Sequence, residues 1–356
     1  MSTPETGRRK GRGALSNPDG RFESTTHRFE NDDWYREPVV APVPTTLTPD
    51  TARSVITRND SPDVPFELSV NPYRGCEHGC VYCFARPTHA YLGLSPGLDF
   101  ETRIFYKQDA ADRLREELAH PAYVCSPIAL GINTDAYQPG ERRLRVTREL
   151  LEVLAEHRHP VSIVTKSALI ERDLDLLKGL AECHLVQVMI SVTTLDNRLA
   201  SRLEPRASAP VRRLQTIRRL TAAGVPVGVL VAPLIPAIND NELERILEAC
   251  RDSGAEHAAY VILRLPHELK QLFREWLQEH FPDRAAHVMN LVRQLHGGKD
   301  YDPGFGQRMR GQGPIAELLA QRFHLASKRL GFRSEAEPLD CNRFRPPGRA
   351  GQLPLF

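Results

Sequence analysis

From Phe66 onward, apolar residues are arranged in two alternating patterns. Short runs at Phe66 to Val70, Ile128 to Ile132, Val161 to Thr165, Leu185 to Val192, Val225 to Val231 and Ala258 to Leu263 are nearly continuous, β-branched and five to eight residues long. These lengths and side chains predict buried strands. Between them, segments 108–119, 143–157, 170–182, 209–223 and 240–252 repeat apolar positions at the helical interval, and several stop at Gly or Pro. Strand and helix in strict alternation predict successive β-α units around a parallel sheet, either a six-unit partial (β/α)6 barrel or a doubly wound sheet. Both architectures gather functional groups at the C-terminal ends of the strands.

Downstream, 267–297 and 313–331 read as helices joined by the Gly-rich stretch Gly297 to Gly306, a helical extension expected to cover the barrel mouth. Residues 1–63 are rich in Arg, Gly, Pro, Thr and Asp with little periodicity, so a flexible arm, disordered or draped over the body, is expected there. The segment 335–356 has a similar composition and is expected to be a flexible tail. The resulting units are an arm at 1–63, the barrel at 64–265, the helical extension at 266–334 and the tail at 335–356.

Composition narrows the function class. With 41% hydrophobic and 26% charged residues in 356, the chain can bury a large core. No stretch reaches the ~18 consecutive apolar residues of a membrane span, and Met1 to Gly13 lacks the apolar centre of a signal peptide, so a cytoplasmic protein with no membrane partner is expected. A net charge of +2 gives no global argument for nucleic acid. Any such argument must be local. Arg142, Arg143, Arg145 and Arg148, and Arg212, Arg213, Arg218 and Arg219, form two basic clusters that would either follow phosphates or simply face solvent.

Seven cysteines, an odd number with three of them inside eight residues, favour a reducing compartment and a metal site over a disulfide framework. Gly75-Cys76-Glu77-His78-Gly79-Cys80-Val81-Tyr82-Cys83 has C-x3-C-x2-C spacing, with glycines that let a tight loop aim three thiolates at one point. Three thiolates suit an iron–sulfur cube with one iron left open, which the amino and carboxylate groups of a methionine moiety could chelate. The alternative is a zinc site using His78 or a distant Cys, although no later C-x2-C or H-x3-H completes that set.

The loop resembles the signature of the radical S-adenosylmethionine superfamily, including the aromatic Tyr82 before the third cysteine, and the order of elements over 66–265 is similar to that superfamily's partial barrel. The resemblance implies a [4Fe-4S] cluster on Cys76, Cys80 and Cys83 and S-adenosylmethionine as cofactors. The implied reaction cleaves S-adenosylmethionine to methionine and a 5'-deoxyadenosyl radical that takes hydrogen from a substrate, with a flavodoxin or ferredoxin as electron donor. Within the superfamily, Cys125 to Asn133, Thr165-Lys166, Ile190-Ser191-Val192 and Val231-Ala232-Pro233 resemble stretches of the spore photoproduct lyase branch. The chain departs from that branch at Asn133 to Pro139, in its arms and in its C-terminal extension.

Residue by residue, the resemblance places Tyr82 near the adenine and Lys166 and Ser191 on the S-adenosylmethionine carboxylate. Asn133, Thr134 and Asp135 would hold its amino group or ribose, with Ala232 beside it. Cys125 would return a hydrogen atom to the product radical. Each has a plainer reading: a solvated lysine, an ordinary Asx turn, a small buried cysteine. Glu204-Pro205-Arg206 and Arg308 to Gly311 are within reach of the cavity but receive no role. The last residues, Gln352-Leu353-Pro354-Leu355-Phe356, resemble the clamp-binding motif of bacterial replication and repair proteins. That implies a β sliding clamp as partner, through Gln352, Leu353, Leu355 and Phe356, and DNA as substrate. Radical modification of RNA, a protein or a small molecule, or a non-catalytic iron–sulfur redox or sensory module, are the competing readings.

Overall fold

The computed structural model describes residues 9–22 and 43–348. Ten strands follow one another: β1 Thr46–Asp50, β2 Ile56–Arg58, β3 Leu68–Val70, β4 Tyr73–Arg74, β5 Arg103–Lys107, β6 Ile128–Leu130, β7 Val161–Thr165, β8 Val186–Ser191, β9 Val227–Leu234 and β10 His257–Ile262. The six apolar runs of the sequence are β3 and β6 to β10. They stand side by side in chain order, every neighbouring pair parallel. This is the α/β architecture that the alternation predicts. None of the residues of these six strands is exposed, because helices cover one face and the barrel interior the other.

Five helices connect these strands at the expected places: Ala110–Leu118, Val146–Glu156, Leu174–Ala181, Pro210–Ala222 and Leu243–Asp252. Each turns an apolar stripe inward, as Leu243, Ile246, Leu247 and Cys250 do in the last of them, all fully buried. The extension contributes Leu269–His280, Ala285–Leu295 and Gly313–Arg329, the first two separated at Pro282, where a helix cannot continue. Leu272, Phe273 and Trp276 pack in one cluster with Cys80, Val81 and Tyr82, so the extension rests on the cysteine loop.

Where the structure describes the arm expected over 1–63, it takes the draped of the two expected forms. Residues Ala14, Leu15 and Ser16 are buried, β1 pairs in parallel with β5, and β2 adds an antiparallel edge to the main sheet beside β3. Strands such as Thr-Leu-Thr-Pro-Asp alternate weakly and gain their place from tertiary pairing, which local pattern does not reveal. The tail is similarly tied down as far as it is described: Asp340 N–H donates to His184 O at 3.0 Å and Arg345 N–H to His157 O at 2.8 Å. Residues 352–356, which carry the clamp-like motif, lie outside the described residues. Among the described residues no helix is long and apolar enough to cross a membrane.

Candidate active site at the C-terminal mouth of the barrel

The cysteine loop leaves the end of β3 through β4 and crosses the mouth of the parallel sheet. Its shape depends on glycine at two points. Gly75 and Gly79 have φ of 81° and 67°, and a Cβ on Gly79 would come within 2.7 Å of Glu101 Oε2. Cys76 and Cys80 are buried and Cys83 half-buried, all three as free thiols. Burial pushes the thiols up, Cys80 to about 12 and Cys76 well above its ordinary value. Thiolates in this loop therefore require a positive charge beside them, as a bound metal supplies.

The loop is braced from beneath. Arg86, fully buried, donates to Cys80 O at 2.9 Å, to Pro96 O and Gly97 O, and to Glu101 Oε1 at 2.5 Å. Glu101 in turn accepts the backbone N–H groups of Gly13 and Ala14 at 3.0 and 2.8 Å. The N-terminal segment thus helps fix the cysteine loop, a role that its composition does not disclose. Cys76 N–H donates to Phe100 O at 2.9 Å, and Glu77 N–H to the Gln138 side chain at 2.9 Å.

Asp135, just beyond β6, has its carboxylate fully engaged. Oδ1 accepts the Thr165 hydroxyl at 2.7 Å and Tyr137 N–H at 2.9 Å; Oδ2 accepts Lys166 N–H at 2.8 Å and lies 3.3 Å from His78 Nδ1. Burial alone would raise its carboxyl, but His78 and these donors hold it well below the usual carboxylate range. Asp135 therefore couples the ends of β6 and β7 to the cysteine loop. His78, buried against it, is committed to that pair and is a poor zinc ligand. The remaining cysteines are distant or, like Cys250, sealed in a helix core. Three thiols in one loop, with His78 engaged by Asp135, match the donor set of an iron–sulfur cluster better than that of a completed zinc site.

Lys166, at the end of β7, is half-buried with its ammonium 6.0 Å from the centroid of the Tyr82 ring. Burial opposes its charge, but Cys80 and Glu204 outweigh that and raise its pKa. Tyr82 donates its hydroxyl to Glu204, a buried carboxylate that also pairs with Arg213 and lies 2.6 Å from the Thr193 hydroxyl. Burial would lift Glu204, yet Arg213 and Lys166 bring it down to about 2. Arg213 further donates to Ser208 O at 2.7 Å and Ser191 O at 3.0 Å. The sequence left Glu204 without a role and Arg213 either following phosphates or facing solvent. The structure buries both as the charged pair beneath Tyr82. A Glu and an Arg nine residues apart, within a strand-to-helix loop and its helix, carry no periodic signal.

Ser191 ends β8 fully buried, its hydroxyl donating at 3.3 Å to the carbonyl of Ala232, which precedes a cis Pro233 on β9. Asn133 is exposed at the same rim, its N–H held by Asn71 Oδ1 at 2.9 Å. Tyr82, Asn133, Asp135, Lys166, Ser191 and Ala232 thus all lie at strand C-terminal ends or on the cysteine loop beside them.

Cys125 does not join them. It precedes β6, whereas the cysteine loop follows β3, and β3 and β6 run parallel, with Leu68 opposite Ile128. The thiol therefore lies at the opposite, N-terminal end of the sheet, 3.7 Å from His159 Nε2 and beside Cys341. The hydrogen-return role expected for Cys125 is overturned by this geometry: the sheet itself separates it from the mouth.

A parallel α/β architecture whose mouth carries a three-thiol loop, an ammonium and a buried charged pair has the donor set of an iron–sulfur protein. The sequence profile described as the Radical SAM superfamily matches residues 70–250. An uncharacterized protein of Mycobacterium bovis is 35% identical over 276 residues, covering 77% of this chain and 79% of its own. An uncharacterized protein of Methanocaldococcus jannaschii is 24% identical over 221 residues, 62% of this chain and 79% of that one. The fold is similar to spore photoproduct lyase complexed with dinucleoside spore photoproduct, with TM-score 0.57, 15% identity and 80% of each chain covered. A mutant of that enzyme with bound AdoMet and dinucleoside spore photoproduct gives the same TM-score at 16% identity. The chain belongs to the radical SAM superfamily, and its cofactors are a [4Fe-4S] cluster and S-adenosylmethionine.

Proposed function

We propose that this protein is a radical S-adenosylmethionine enzyme acting on nucleic acid, with DNA repair or modification as its task. One observation carries the reading: the three-thiol loop, Lys166 and Ser191 share a single mouth with a buried counter-charge beneath them. Bound together, the two cofactors supply one-electron cleavage of S-adenosylmethionine and a radical that abstracts hydrogen. The side chains do the holding. Cys76, Cys80 and Cys83 anchor the cluster, and Lys166 attracts the methionine carboxylate, a cation suited to an anion. Ser191 and the Ala232 carbonyl line the floor beside it, and the exposed Asn133 amide offers polar contacts to the amino group or ribose. Tyr82, fixed by Glu204, forms the apolar wall for the adenine. Asp135 acts one step back, holding the main chain of Lys166. Likeness to an enzyme complexed with a dinucleoside photoproduct supports DNA as the substrate class.

Anaerobic turnover with dithionite, read by mass spectrometry, should yield 5'-deoxyadenosine from the wild type and none from Cys76→Ala. Isotope passing from labelled DNA into 5'-deoxyadenosine distinguishes DNA from tRNA or peptide substrates. Gln352, Leu353, Leu355 and Phe356 belong to the same proposal as a recruitment tail for a β sliding clamp. Clamp titration should give micromolar affinity, about 8 kcal/mol, lost on deleting residues 352–356. No binding at about 100 μM clamp would end that part of the reading.

A further inference from the structure

Beside the mouth, outside the cofactor site, a cavity of about 510 Å³ is lined by Arg198, Arg202, Arg245 and Arg284 together with Phe281 and Ile238. Its position follows from the topology. The helix Asn197–Leu203 follows β8 and the segment from Ile238 to Glu242 follows β9, both at strand C-terminal ends. The inner face of that helix, Leu199 and Leu203, packs with Cys80, Val81 and Tyr82, and Leu203 O accepts Val81 N–H at 3.1 Å. The cavity therefore backs directly onto the element that supports the cysteine loop.

Its charge is unbalanced. Among the described residues none of the four guanidinium groups has an ion-pair partner. Arg284 reaches only the Ala237 carbonyl, at 3.3 Å. The two carboxylates of the lining are already employed. Asp196 caps its helix by accepting Arg198 N–H at 2.7 Å, and Glu242 accepts the Thr194 hydroxyl at 2.6 Å and Leu195 N–H at 2.9 Å. Arg202 and Arg284 both approach the Phe281 ring, 5.6 Å and 4.9 Å from its centroid. Other arginines of this chain are tied to acids, as Arg148, Arg172, Arg212 and Arg322 are. A concave group of unpaired guanidiniums around an aromatic ring is suited to phosphate oxygens and to a base or sugar packed on the ring.

We propose that this cavity is a phosphodiester-binding site that grips a nucleic-acid strand next to the mouth. Arg198, Arg245 and Arg284 contact successive phosphates, and Phe281 carries a base. This rests on the reading of nucleic acid as substrate and names the surface that would deliver it. A concave pocket favours a strand over the broad face of an acidic redox protein.

The test uses the full chain with its cluster reconstituted and a fluorescein-labelled single-stranded DNA of about 20 nucleotides, followed by anisotropy from about 50 to 200 mM salt. The triple variant Arg198→Ala, Arg245→Ala, Arg284→Ala should bind at least about tenfold more weakly. Its log–log salt slope should fall by about 2, since three single-strand phosphate contacts account for ~0.7 each. A control removing equal charge at the ion-paired Arg115, Arg333 and Arg343, away from the mouth, should match the wild type. Cluster absorbance and the thermal midpoint identify any variant that fails to fold; for such a variant the Arg→Gln triple, which keeps the side-chain bulk and removes the charge, replaces it and should show the same loss. Wild-type affinity and slope in a folded alanine triple overturn the proposal. So does a triple that loses binding to an acidic flavodoxin while keeping that to DNA. Formation of 5'-deoxyadenosine by the wild type, measured in the same preparations, separates the two claims. A chain that cleaves S-adenosylmethionine without binding DNA sinks this site and leaves the radical chemistry standing, whereas Arg-dependent DNA binding without cleavage does the reverse.

Discussion

The two ends of the barrel use similar residues to opposite effect. At the mouth, Cys76, Cys80 and Cys83 lie among charges: Lys166, the Glu204–Arg213 pair and the Asp135–His78 pair. At the N-terminal floor, Cys125 and Cys341 sit with Tyr123, His159 and Phe344, a neutral assembly of rings 5.1 to 5.8 Å apart. There His159 Nδ1 lies 2.9 Å from Pro160 O and Nε2 2.6 Å from the Tyr123 hydroxyl, the pattern of an uncharged ring that donates once and accepts once. Buried charge is costly and is retained where cofactor and substrate need a field. Where only packing is needed, aromatic and thiol groups suffice. Cysteine content alone does not mark an active site; the charges around the thiols do.

The largest effect should come from uncoupling the charges at the mouth. Glu204→Gln leaves Arg213 buried without its counter-ion and should cost about 3–5 kcal/mol in chemical denaturation. If it costs under ~1 kcal/mol, the pair is not what holds Tyr82. The sign of the pH dependence follows from the depressed carboxyl: the stabilisation by Glu204 is complete above pH 4.5, its ordinary value, and is lost as pH falls toward about 2.

Removing the cation itself should matter less for folding and more for binding. Lys166→Ala should raise the apparent KM for S-adenosylmethionine roughly 10- to 100-fold, equivalent to ~1.5–3 kcal/mol for a charge-assisted hydrogen bond, with a smaller change in kcat. An unchanged KM would move the carboxylate to another partner.

At the floor the predicted effects shrink. Burial lowers His159 to about 4, so its neutral form is stabilising above pH 6.5 and that contribution, at most roughly 3 kcal/mol, fades as pH falls through about 4. His159→Gln should lower the melting temperature at pH 7 and flatten its decline between pH 6.5 and 4. A parallel decline in both proteins would show that the ring does not titrate in this way. Smallest of all, Cys125→Ala should cost less than about 1.5 kcal/mol and leave product formation untouched.

Much of this contrast was legible before the fold was known, but unevenly. The six parallel strands follow from continuous β-branched runs, because a strand buried on both faces must be apolar throughout. The cysteine loop follows from spacing and flanking glycines, because here all three cysteines fall within eight residues. Glu204, Arg213, Arg86 and Glu101 were not legible as a set. Their partners are brought together by tertiary packing, 89 residues apart in the case of Arg12 and Glu101. The misplacement of Cys125 has a simpler cause. Likeness put it beside the second strand of the barrel, but a residue before a parallel strand lies at the floor and one after it at the mouth, so position relative to the strand decides the end.

The division between reactive mouth and inert floor is tested most directly by one paired experiment. Cys80→Ala and Cys125→Ala proteins, reconstituted anaerobically beside the wild type, are assayed for iron content and for 5'-deoxyadenosine formed with dithionite. Cys125→Ala should match the wild type, with about four irons per chain and full cleavage, while Cys80→Ala loses most of its iron and all cleavage. Cleavage surviving in Cys80→Ala, or vanishing in a folded Cys125→Ala, would contradict the assignment of the chemistry to the mouth.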